Sequence, residues 1–106
     1  MIDLKSDHLE IVKRILSEHV PDCEVRAFGS RVAGKPRDYS DLDLAVLGKE
    51  RIDRRCMGQL REAFAESELP FRVDVQDWHT ISESFKEIIE KKYEVIQKPV
   101  DLLGQK

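Results

Sequence analysis

Ser40-Asp41-Leu42-Asp43-Leu44-Ala45-Val46-Leu47 is the stretch that decides the reading. Side chains two apart on a strand share a face. Alternation therefore turns Leu42, Leu44 and Val46 one way and Asp41, Asp43 and Ala45 the other. A strand over 41–47 thus offers one apolar face and two carboxylates side by side. Two like charges this close repel, and one keeps its proton unless a cation separates them. Magnesium suits such a pair, because it prefers hard oxygen ligands and leaves positions open for substrate phosphates.

Working outward, the segment 71–77 alternates in the same manner. Phe71, Val73 and Val75 face one side, and Arg72, Asp74 and Gln76 the other. If the two strands are neighbours, Asp74 joins Asp41 and Asp43 on one polar face. Asp77 falls on the opposite side by the same alternation. A third strand is expected over 24–28. It leads into Gly29-Ser30-Arg31-Val32-Ala33-Gly34, within a turn over 29–39 that has room for one helical turn. Gly29 would let backbone approach a phosphate closely, Ser30 would cap the short helix, and Arg31 offers a fork of donors to phosphate oxygens.

Three helices complete the pattern. The first spans 7–19, with Ile11, Val12, Ile15 and Leu16 at helical spacing and a capping box expected from Asp7 and Glu10. The second spans 53–66, with Met57, Leu60 and Phe64 as its stripe and Gly58 as a weak point. The third spans 82–93, with Phe85, Ile88 and Ile89 expected in the core and Thr80 and Glu83 at capping-box spacing. The order helix, strand, loop, strand, helix, strand, helix implies a sheet of at least three strands covered by helices, an α/β (α+β) class.

The 106 residues are expected to form a single domain over 1–106, with a tail over 97–106 that frays. A net charge of −3 argues against a general nucleic-acid binder. No run approaches the roughly 20 apolar residues that span a membrane, and no leader-like segment opens the chain. Cys23 and Cys56, the two cysteines, read as reduced thiols of a soluble cytoplasmic protein. His8, His19 and His79 are scattered and read as surface or packing residues, which leaves Ser30 without a base.

Gly29-Ser30, followed by Ser40-Asp41-Leu42-Asp43-Leu44 and then Asp74 on a later strand, resembles the nucleotidyltransferase superfamily that includes DNA polymerase β. The short length resembles its minimal nucleotidyltransferase (MNT) family. The likeness runs from about Glu24 to Asp77 with the flanking helices. It implies a mixed, partly antiparallel sheet flanked by helices. It also implies two magnesium ions on Asp41 and Asp43, Asp74 completing the catalytic ion's site, and Gly29 and Ser30 on the β- and γ-phosphates of ATP. Ala33 departs from the family, whose members often carry a basic residue there; Arg31 or Lys35 would have to substitute. The resemblance further implies a helical HEPN partner, often a ribonuclease toxin. This chain would then be the antitoxin that adds AMP to a tyrosine of the partner, within a homo- or hetero-oligomer. Trp78 and the run Arg51, Arg54, Arg55 are candidate contacts. Two other readings remain open: a binding module that blocks a toxin without catalysis, and a transferase acting on a small molecule such as an aminoglycoside.

Overall fold

In the computed structural model, residues 2–34 and 40–99 are described. Lys35 and the tail beyond 99 lie outside the described residues.

Four strands form one sheet: β1 (Glu24–Phe28), β2 (Leu42–Leu47), β3 (Val73–Asp77) and β4 (Glu94–Gln97), in the order β3-β2-β1-β4. β1 pairs antiparallel with both β2 and β4, whereas β2 and β3 run parallel. Parallel neighbours need a crossover, supplied here by helix α3 (Arg54–Ala65). The sheet is therefore mixed, as the resemblance implies. β4 is the one strand that the sequence pattern did not announce.

One face of the sheet is sealed by α1 (Ser6–His19) and α3. Val12, Ile15 and Leu16 of α1 and Met57, Leu60 and Phe64 of α3 pack on Val25, Ala27, Leu42, Leu44, Val46 and Val75. Leu42, Leu44, Val46 and Val75 are residues that alternation assigned to the apolar face. A smaller cluster lies on the other face, where Phe28, Ala45 and Ile89 pack with Trp78 and Phe85. It is built by helix α4 (Glu83–Lys91), following a short 3-10 turn at Trp78–Thr80; α2 is the single turn Ser30–Ala33. The apolar cover is partial on this face, so the polar ends of β2 and β3 stay accessible beside it.

Helix ends depart from expectation. The first helix starts after Lys5 with no side-chain cap; Asp7 accepts only from the adjacent His8 amide. α4 is capped by Ser82, whose hydroxyl accepts from Phe85 N at 3.1 Å, while Thr80 Oγ1 donates to Asp77 O within the 3-10 turn. Ile88 is 60% exposed rather than buried. Phe85 and Ile89, four apart, share the inward face, and Ile88 falls to its side. α3 is capped by Asp53, whose carboxylate accepts from Cys56 N.

Candidate active site

The parallel register of β2 and β3 places Asp43 directly opposite Asp74, flanked by the pairs Leu42–Val73 and Leu44–Val75. Cβ atoms of directly opposed residues lie about 5 Å apart. The two carboxylates therefore share the face away from α1 and α3. Asp41 stands exposed one step before β2. The consequence is visible on Asp43. Burial, then the charges of Asp74 and Asp41, push its carboxyl up from 3.8 to about 6. A cation lowers that cost directly, and an all-carboxylate donor set suits a hard ion such as magnesium. Among the described residues, no group of three or more acidic, histidine or cysteine side chains is arranged to hold a metal ion.

β1 brings the third element. Phe28 pairs with Asp43, so Gly29, the next residue, arrives at the carboxylates. Gly29 has φ +85°, and a Cβ built there would land on Asp43 Oδ2 and lie 3.2 Å from its Cγ. Only glycine permits this backbone and this approach together. Gly29 is the N-cap of α2, and its carbonyl accepts from Val32 N and Ala33 N. Ser30 is consequently the first helical residue and not the cap expected of it.

Arg31 is placed elsewhere. It is 7% exposed, its Nε donates to Ser40 O at 3.0 Å, its Nη1 donates to Asp3 O at 3.0 Å, and its guanidinium lies 4.3 Å from the Phe71 ring centroid. Its donors tie the start of β2 and the N-terminal segment to the turn, instead of opening toward a phosphate. The only sequence sign of this role is that Arg31 sits inside a single helical turn, where one side must face the core.

Asp77 is buried, 4% exposed, and its carboxylate accepts from Ile52 N at 2.8 Å and His79 N at 3.0 Å. That is a loop-holding role on the face opposite Asp74. His79 Nε2 meets Gly48 O at 2.7 Å, and His8 packs edge-on against Phe71, so neither faces the carboxylates. Trp78 is half-buried between Arg26 and Lys86, at 5.1 and 5.6 Å, while Arg51, Arg54 and Arg55 are exposed. Cys23 and Cys56 are free thiols, and burial raises the pKa of both, which makes them poor nucleophiles. Among the described residues, no helix is long and apolar enough to cross a membrane.

The chain is similar to known proteins over most of its length. The profile of the family described as "Polymerase beta, Nucleotidyltransferase" matches residues 3–99. A Haemophilus influenzae protein named "Probable protein adenylyltransferase MntA" is 57% identical over 96 residues, covering 91% of this chain and 84% of its own. Among solved structures, a toxin-antitoxin with AMP-PNP superposes with a TM-score of 0.73 at 23% identity, over 85% of this chain and 73% of that one. A complex of tri-AMPylated Shewanella oneidensis HEPN toxin with MNT antitoxin gives 0.69 at 21% identity, over 90% and 73%. At those identities the two structures bear on the fold, which is the same.

Proposed function

Because the chain belongs to the polymerase β nucleotidyltransferase family, we propose that it transfers AMP from ATP to a hydroxyl, a tyrosine by preference, of a helical HEPN-type partner protein. By doing so it acts as a cytoplasmic antitoxin. The carrying observation is Asp43 opposite Asp74 on adjacent parallel strands, with Gly29 held against Asp43. Support for the substrate comes from the 57% identity to a protein named as a protein adenylyltransferase.

In this reading, Asp41 and Asp43 would hold two magnesium ions, and Asp74 would complete the set on the catalytic one. When bound, magnesium lowers the pKa of the acceptor hydroxyl and neutralises charge on the departing pyrophosphate. Asp74 takes the hydroxyl proton. The acceptor oxygen bonds to the α-phosphorus, and the bond from that phosphorus to the bridging oxygen of the pyrophosphate breaks. The N–H groups opening α2 and the Ser30 hydroxyl orient the β- and γ-phosphates. Arg31 braces this turn through Ser40 and Asp3, so phosphate binding falls to Gly29 and Ser30. Positioning and charge stabilisation then supply most of the catalysis.

The test is to mix the chain with the helical product of the adjacent gene, magnesium and ATP, and to weigh the partner. One or more added AMP masses are expected on a single partner peptide. An unchanged partner mass with each of the four nucleoside triphosphates contradicts the proposal.

A further inference from the structure

Across β3 from the carboxylates, on the α3 side of the sheet, lies a cleft that the catalytic reading does not use. It holds about 380 Å³ and runs along β3, between that strand and α3. Its walls include Phe64, Leu69 and Phe71, its rim carries Arg61 and Arg72, and it reaches Asp74 itself. Among the described residues, β3 is an edge of the sheet. Leu42 N donates to Arg72 O, which fixes the alternation: Arg72, Asp74 and Gln76 turn their backbone groups to β2, and Val73 and Val75 turn theirs outward. Arg61 Nη2 donates to Val75 O at 3.0 Å, which obstructs a strand from running on past that point. Val73 is left as the place where another backbone can pair.

We propose that this cleft receives the acceptor-bearing segment of the partner protein as a short added strand at Val73, and that this segment is acidic. The inference rests on the transferase reading and names where its acceptor docks. Backbone bonds to an edge strand give affinity, and alternate side chains give specificity. In such a pairing, the residue opposite Val73 points with Val73 into the apolar cleft. The next residue points to the other face, about 5 Å from Asp74. One anchor and the acceptor residue are thereby set by a single register, with the acceptor side chain on the same face as Asp74. Arg61 and Arg72, both exposed at the rim, select negative charge on the incoming segment.

Two measurements on the full chain with its partner test this. In Arg61→Glu/Arg72→Glu, neither side chain contacts the phosphates in this scheme. The KM for the partner is expected to rise about tenfold or more, with kcat and ATP affinity within about twofold of the unaltered chain. Placing p-benzoylphenylalanine at exposed Ala65, in the cleft wall, is expected to cross-link an acidic partner peptide that contains or adjoins the modified residue. An unchanged KM in the double variant, or a cross-link to a peptide remote from the modified residue, overturns the cleft proposal. If the unaltered chain transfers no nucleotide, the transferase reading fails. The cross-link still decides whether an acidic partner segment occupies the cleft.

Discussion

Asp43→Asn is expected to lose at least about a thousandfold in transfer rate, equivalent to about 4 kcal/mol of transition-state stabilisation, and yet to fold more stably than the unaltered protein without metal. The two effects have one cause. Burial and two neighbouring aspartates raise the Asp43 carboxyl to about 6. Between the ordinary value of 3.8 and about 6, the folded chain therefore binds more protons at this site than the unfolded chain. Stability then falls as pH rises through that window, and above about 6 the ionised carboxylate is a net cost. Asparagine removes the charge and keeps the shape. Because Asp43 is only half-buried, solvent screening cuts the gain to about 1 kcal/mol, or about 5 °C in Tm near neutral pH. Thermal unfolding in chelator, at about pH 7.5 and about pH 4, checks the sign: the gain is present at the higher pH and shrinks at the lower. A variant that is less stable than its parent at both pH values, or that still transfers nucleotide, contradicts this account of Asp43.

Gly29→Ala is expected to destabilise the chain by about 2–5 kcal/mol and to abolish transfer in whatever fraction folds. A residue with a side chain at φ +85° costs about 1–3 kcal/mol. The new methyl must also displace the Asp43 carboxylate, a crowding penalty of similar size. Gly34→Ala is the milder comparison: Gly34, at φ +87° and ψ 16°, lies in the left-handed helical region, whereas Gly29, at ψ −159°, lies where only glycine is comfortable, and among the described residues nothing lies within 4 Å of an atom added at Gly34. It should show only a left-handed backbone cost of about 1 kcal/mol and retain transfer. Equal losses of stability and activity in the two variants would mean that contact between the turn and Asp43 does not matter.

The strand residues were readable because their chemistry alternates. Asp41-Leu42-Asp43-Leu44 and Val73-Asp74-Val75 each separate acid from hydrocarbon at a period of two, and the core follows that division. What alternation cannot supply is which strands are neighbours. The pairing of Asp43 with Asp74 depends on a parallel register set by the α3 crossover. β4 escaped notice because Glu94–Gln97 is a four-residue edge strand with a side chain left outside, entered directly from the charged end of α4. The place of Arg31 was not legible because a cation after Gly-Ser suggests a phosphate, whereas two of its donors go to backbone carbonyls distant in sequence. Ile88 was misplaced because a run of apolar residues at helical spacing does not reveal how wide the buried stripe is.

The most direct measurement is metal binding at the carboxylates. Manganese, as a paramagnetic stand-in for magnesium, is titrated into the chain with a non-hydrolysable ATP analogue and followed by electron paramagnetic resonance. The account predicts two manganese ions bound per chain with the analogue present. It also predicts that Asp43→Asn loses at least one of them, and that affinity falls about tenfold per pH unit below about 6, as a proton competes for Asp43. The same number of ions bound with the same affinity by Asp43→Asn would contradict the claim that these aspartates form the metal site of a nucleotidyltransferase.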